Sequence, residues 1–167
     1  IFDYANSLGL ICFSTPFDES AVDFLEDLNV PAYKLASPEI IHLPLIEKII
    51  STGKPVIVST GMASLDEITM VVDMIKKSKN DFALLKCTSS YPASPRFSNI
   101  ITIPELRKNF KCEVGLSDHT LGLGASIAAV SHGATIIEKH FTLNRSDGGV
   151  DSVFSLEPAE MRELVAE

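Results

Sequence analysis

The chain contains no tryptophan, and aromatic residues make up only 7% of it, so its core must be built mainly from aliphatic side chains. It also lacks any apolar run near the roughly 20 residues needed to cross a bilayer, which argues against a membrane protein. Basic residues are few, with 14 Lys and Arg against 22 Asp and Glu and a net charge of −8. That balance removes the basic stripe of a nucleic-acid surface. It leaves room for an anionic small molecule, since a few local donors can outweigh the global charge. Cysteine is limited to Cys12, Cys87 and Cys112. No Cys-x-x-Cys pair points to zinc or redox chemistry, and each cysteine lies in an apolar run, as expected of buried thiols in a reducing cytosol. The first residues carry no positively charged segment of a secretory signal; residues 5–8 read as a helix end stopped by Gly9. A cytoplasmic protein is therefore expected. No Gly-rich phosphate turn follows any strand-like run, which counts against a dinucleotide-binding fold.

Apolar residues form 46% of the 167, an ordinary globular composition with enough chain for a real core. One pattern repeats from Leu10: a short apolar run, a polar tip, then a helical stretch. The runs are LICFS (10–14), AYKLA (32–36), VIVS (56–59), FALLKC (82–87), CEVGL (112–116) and TIIEKH (135–140). Each has the length and apolar character of a parallel strand buried on both faces. Helices are expected over 19–29, 43–52, 64–78, about 101–109 and 122–132, with a last one after Pro158. Asp18 precedes an amphipathic stretch, Ser64 with Glu67 reads as a capping box, and Gly53 and Gly133 sit where helices end. Nothing resembling a linker interrupts the series, so residues 1–167 are read as one domain.

Six strand–helix units fit an open doubly wound sheet or part of an eight-stranded barrel. The polar residues decide between them, because they collect after every strand: Thr15, Ser37 and Glu39, Ser59, Ser89 and Tyr91, Ser117 and His119, and His140. Chemistry drawn from many strand tips is the mark of a TIM-type (β/α) barrel. A complete barrel runs to about 250 residues, so the first two units are expected to be missing ahead of Ile1.

His119 lies just past one strand and His140 ends the next. Neighbouring strands lie about 4.8 Å apart, so two such imidazoles can converge on one divalent ion with metal–nitrogen bonds of roughly 2.0–2.2 Å. Equally, they could be two unrelated histidines, one bonding a loop and one in a core. Lys34 interrupts PAYKLAS and shares a strand face with Ala32 and Ala36, which leaves room for a long side chain. It could bind a carboxylate or phosphate, form a Schiff base, or snorkel at an edge strand. Ser37, Ser59, Ser89 and Ser117 could cradle a phosphate together, though each alone could be a turn residue. Glu39 could act as acid or base, or complement the dipole of the helix at 43–52. Glu138 shares the His140 face and could support a metal or substrate. Lys86 and Lys139 also interrupt strands, and Lys139 points away from Glu138 and His140.

KLASPE (34–39), VSTGMAS (58–64), LLKCTSSYP (84–92), VGLSDHTLG (114–122) and EKHFTL (138–143) closely resemble the N-acetylneuraminate synthase family of nonulosonic acid synthases. GGVDSVFSLEP (148–158), and Ser89 where the sialic acid branch has Asn, are similar to its pseudaminic acid branch. The resemblance implies a cytoplasmic enzyme that condenses phosphoenolpyruvate with a diacetamido-trideoxy hexose aldehyde and releases phosphate by carbon–oxygen cleavage. It implies that Lys34 and Thr15 contact phosphoenolpyruvate and that Ser37, Ser59 and Ser117 contact its phosphate, with Ser89 a substrate-binding residue in place of the family asparagine. Tyr91 and Asp151 would contact the sugar, with Glu39 near the reacting aldehyde. His119 and His140 would hold a divalent metal, Mn2+ or Mg2+. Family members also carry a C-terminal antifreeze-like domain that reaches the partner's site in a swapped homodimer. Without it and the first barrel units, this chain alone is expected to be inactive and poorly soluble. A Schiff-base aldolase using Lys34 and a non-catalytic sugar-acid-binding barrel are the other classes that the residues allow.

Overall fold

A computed structural model describes Ile1–Glu167 and divides the chain into two compact units, Ile1–Ala83 and Leu84–Glu167. The first unit runs α1 (Phe2–Ser7), α2 (Glu19–Asp27), β1 (Tyr33–Leu35), α3 (Leu43–Ser51), β2 (Val56–Ser59) and α4 (Leu65–Ser78). Strand β3 (Phe82–Cys87) begins at its end. The second continues with α5 (Thr102–Phe110), β4 (Glu113–Asp118), α6 (Gly124–Ser131), β5 (Ile137–Lys139) and α7 (Pro158–Ala166). The strands follow one another in the order β1-β2-β3-β4-β5, and the β1–β2 and β4–β5 pairs are parallel. A doubly wound sheet reverses its strand order at a switch point, whereas a barrel adds strands in chain order. The fold is therefore the expected α/β type, an incomplete TIM-type (β/α) barrel. No helix is long and apolar enough to cross a membrane.

The helix starts follow the capping signals. Asp18 accepts from the Ala21 amide at 2.8 Å, and α2 buries Val22 and Leu25. Ser64 and Glu67 bond each other's amides at 3.3 and 2.7 Å, closing the capping box of α4. Loss of such a cap costs about 0.5–2 kcal/mol.

Side chains alternate along β1. Tyr33 turns toward α2 and donates its hydroxyl to Glu26 Oε1 at 2.6 Å, and Lys54 reaches the same oxygen at 2.6 Å. The Lys54 and Tyr33 bonds hold the Glu26 carboxyl below the usual range, while burial and Glu26 push the Tyr33 phenol up. Because the folded-state pKa of Glu26 is depressed, its contribution is present above the ordinary Glu range. It is lost as pH falls through the depressed value. Glu26→Gln should therefore flatten the acid dependence of the urea midpoint measured between about pH 7 and pH 3. An unchanged slope would show that the cluster contributes nothing.

Five details differ from the sequence expectations. Strand β5 covers only Ile137–Lys139 of the expected 135–140 and is half-buried, which leaves His140 just past its end. Residues 10–14 do not form a strand; only Ser14 bridges Tyr33, through a bond from the Lys34 amide to the Ser14 carbonyl at 3.3 Å. A strand exists through its ladder, and Leu10 and Ile11 stand 60% and 78% exposed instead of being packed on both faces. Of the three thiols only Cys87 is buried, because Cys12 lies in that unpaired segment and Cys112 precedes β4. Strand β4 extends to Asp118, beyond the expected end at 116. Helix α6 starts at Gly124, after a bend over 121–123.

Candidate active site

In the first unit, Lys34 occupies the β1 face opposite Tyr33. Its ammonium donates to Ser59 Oγ at 2.8 Å and to the Leu35 carbonyl at 3.2 Å, and both Lys34 and Ser59 are buried. Ser59 ends β2, so the register that aligns Lys34 with Ile57 brings the lysine to the strand tip. The Ser59 hydroxyl accepts that bond and keeps its own proton to donate. Ser37 also lies buried and accepts from the Gly61 amide at 3.0 Å, which joins the KLASPE and VSTGMAS segments. Glu39 sits in a 3-10 turn, Pro38–Ile41, and its Oε2 is buried with no hydrogen-bond partner. A buried acceptor left in that state calls for a partner from outside the chain. Thr15 is half-buried, one residue past the Ser14 bridge.

The second unit gathers the imidazoles. Rings of His119 and His140 lie 5.2 Å apart between centroids, edge to face at 65°. His119 Nδ1 is 3.1 Å from the Thr88 carbonyl and 3.9 Å from Cys87 Sγ. With Nδ1–H donating to Thr88, Nε2 carries the lone pair. Burial opposes protonation of His119, but Cys87, the Thr88 carbonyl and Glu138 outweigh it and hold its pKa above the ordinary value. Burial and the neighbouring His119 push His140 down, with Asp151 and Glu138 offsetting part of the effect. Asp151 Oδ2 lies 3.6 Å from His140 Nδ1. Tyr91 packs against His119 at 4.3 Å and His140 at 6.1 Å. Ser117 donates to Glu138 Oε1 at 2.6 Å, which commits its proton to the carboxylate. Ser89 Oγ is 3.7 Å from Cys87 Sγ.

The 5.2 Å ring-centroid separation lies within the range open to two imidazoles that share one divalent ion. Imidazoles bound at roughly 2.0–2.2 Å and about 90–109° from each other have centroids about 4.6–5.3 Å apart. No group of three or more His, Cys, Asp or Glu gathers to form a metal cage anywhere in the chain. Two imidazoles are the donors this chain would offer a divalent ion there, a set that would leave further positions for water or substrate oxygen.

Sequence reasoning passed over Phe154 and Cys87. Phe154 packs against His140 at 4.9 Å and His119 at 6.2 Å, bracketing the pair from the 148–158 segment. The available signal was an aromatic residue beside Asp151 in GGVDSVFSLEP. Cys87 shares the face of β3 that carries Leu85, and alternation from the strand tip could have placed it beside His119.

Strand-tip lysine, hydroxyls and histidines on an incomplete (β/α) barrel define a barrel protein with its polar chemistry at the strand tips. A sequence model of the NeuB family matches residues 1–167. The chain belongs to the NeuB family. It is 43% identical over 168 residues to N,N'-diacetyllegionaminic acid synthase from Legionella pneumophila, covering 98% of this chain and 47% of that protein. It is also 43% identical over 158 residues to pseudaminic acid synthase from Helicobacter pylori, covering 94% and 46% respectively. The chain thus spans about half the length of these curated relatives. Among solved structures it matches N-acetylneuraminic acid synthetase from Leptospira borgpetersenii, in complex with citrate, with a TM-score of 0.96 and 37% identity. That match covers 98% of this chain and 57% of the other.

Proposed function

We propose that this chain is the strand-tip part of a nonulosonic acid synthase that condenses phosphoenolpyruvate with the open-chain aldehyde of a diacetamido-trideoxy hexose, giving pseudaminic acid and phosphate. The observation that carries the reading is the His119–His140 pair at 5.2 Å, in a chain whose residues 1–167 all match the family model. The acceptor class is supported by Ser89 and by the 148–158 segment. Equal identity to a legionaminic and a pseudaminic acid synthase leaves the choice to those residues.

Each side-chain group has a chemical task. Lys34, with Ser37, Ser59 and Ser89, holds the phosphate and carboxylate of phosphoenolpyruvate, and Thr15 adds a carboxylate contact; their charge and hydroxyl protons fix the enol in attacking geometry. The enol carbon forms a bond to the aldehyde carbon, and the carbonyl electron pair moves onto its oxygen, which takes a proton. Positive charge is left at the carbon bearing phosphate. Water adds there and loses a proton, giving a carbon that bears both hydroxyl and phosphate. The hydroxyl oxygen then forms the ketone C=O as the carbon–oxygen bond to phosphate breaks with its electron pair on phosphate, which takes up the hydroxyl proton. His119 and His140 would hold Mn2+ or Mg2+, which supplies Lewis-acid polarisation of the aldehyde. Tyr91 and Asp151 contact the sugar, Glu39 serves as acid or base near the aldehyde, and Glu138 orients Ser117. The complete protein is proposed to work as a domain-swapped homodimer.

The test is a panel of amino-sugar aldehydes with phosphoenolpyruvate, Mn2+ and the complete protein, read by product mass. Turnover with a 6-deoxy diacetamido hexose and not with N-acetylmannosamine is expected, and the opposite preference overturns the acceptor. Lys34→Met should lower kcat/KM for phosphoenolpyruvate by about 10²-fold or more, because it removes a buried charge-assisted contact. Borohydride with a pyruvate-like substrate should trap no adduct at Lys34; a covalent adduct there would replace this reading by a Schiff-base aldolase.

A further inference from the structure

A second cross-strand pair lies behind the imidazoles. Asp118 and Lys139 are register partners on β4 and β5, and each immediately precedes one histidine, His119 or His140. Alternation places their side chains on the opposite face of the strands from the rings. Lys139 Nζ lies 2.9 Å from Asp118 Oδ2, with the two side chains only 2% and 1% exposed. The other bonds of the pair converge on the same turn. Asp118 Oδ1 accepts from the Thr120 amide at 2.8 Å, and Oδ2 accepts from Ser126 Oγ at 2.7 Å. Lys139 also donates to the Thr120 carbonyl at 2.6 Å. His119 is thereby bracketed: the residue before it and the residue after it are both tied to the lysine that precedes His140. Burial alone would raise the Asp118 pKa, but the Lys139, Ser126 and Thr120 bonds reverse this and hold the carboxyl below its ordinary value.

We infer that the Asp118–Lys139 ion pair is a positioning clamp that sets the separation and aim of His119 and His140 from the back of the sheet. The inference rests on the reading of those histidines as metal ligands. A buried ion pair is weak evidence for stability, because an apolar pair of similar volume is often neutral or better. What an apolar pair cannot reproduce is the set of directional bonds that fixes Thr120 to β5. A two-imidazole site depends on that geometry, since ligands must be held within about 0.5 Å of their productive positions. The clamp therefore acts on ligand placement more than on folding.

The experiment uses the complete protein and Mn2+ alone, with the electron paramagnetic resonance signal of the free ion reporting binding. Asp118→Leu combined with Lys139→Met keeps the volume and removes the bonds. That double variant is expected to stay folded, though less stable because the buried Thr120 and Ser126 groups lose their partners, and to bind Mn2+ about 10–100-fold more weakly. Asp118→Asn keeps the shape and loses the charge; it is expected to bind about tenfold more weakly, and it carries the test if the double variant fails to fold. A folded variant of either kind that binds Mn2+ within about twofold of wild type overturns the clamp. His119→Ala separates the two ideas. If it abolishes binding while the clamp variants bind normally, only the clamp is wrong. If the wild type binds no Mn2+, or His119→Ala binds as well as wild type, the metal reading fails and the clamp with it.

Discussion

Alanine at His119 or at His140, in the complete protein, is expected to lower kcat by about 10³-fold, the scale seen when a preorganised electrostatic stabiliser is removed from a reacting oxygen. The fold should survive both changes. His119 gives up one hydrogen bond to the Thr88 carbonyl, a net loss of about 1 kcal/mol, together with its packing on Tyr91 and Phe154. The His140 side chain is 32% exposed and loses still less. Phosphate release would be followed after chelation and controlled addition of Mn2+, alongside thermal melting of each variant. On the proposal that both rings serve one metal position, the two substitutions are not additive, and the double variant should be little worse than either single one. Near-wild-type turnover in either variant would refute a metal role for the pair. A variant that melts far below wild type would show that the ring is a packing element first.

How much of this was legible in the sequence depends on the range of the interaction. Strands β2 and β3 fall at 56–59 and 82–87 as their apolar runs predict, because a fully buried parallel strand states itself locally. The capping box at Ser64 is local as well. The LICFS run carries the same signal and fails, since nothing in five residues says whether a ladder forms on either side. The site divides in the same way. Ser59, His119 and His140 were visible as residues at strand tips and Lys34 as an interruption of its strand, and register then brings Lys34 to Ser59. The pairing of Asp118 with Lys139 was not visible: Lys139 looked like an interruption of its strand, and its partner lies 21 residues earlier. Thr88 was invisible for another reason, because a backbone carbonyl has no residue identity to read. The hydroxyl of Ser117 was expected to face phosphate, yet its proton goes to Glu138, a bond that only the β4–β5 register reveals.

Register also explains the largest stability effect expected in the second unit, that of Gly115→Ala. The glycine is not needed for an unusual backbone angle; it is needed for space. A Cβ at 115 would lie 2.2 Å from the Ile136 carbonyl oxygen and 2.7 Å from both Ile136 Cβ and Leu85 Cδ2. The Leu85 methyl can turn away, but the carbonyl cannot, because it accepts the Leu116 amide at 2.9 Å in the ladder that joins β4 to the start of β5. Relief therefore requires the two backbones to part or that bond to break. The cost is expected near 3 kcal/mol, the upper part of the usual overpacking range. That corresponds to a fall in Tm of roughly 6–12 °C for a domain of this size, measurable by circular dichroism. A fall under about 2 °C would show that the strands separate at little cost. Gly115 stands four residues before His119, and Ile136 four before His140. A wedge between them opens the same strand pair that Asp118 and Lys139 close further along. Gly115→Ala should accordingly weaken Mn2+ binding even in the fraction that remains folded, whereas a core truncation of matched stability cost on α5, such as Leu106→Ala, should not.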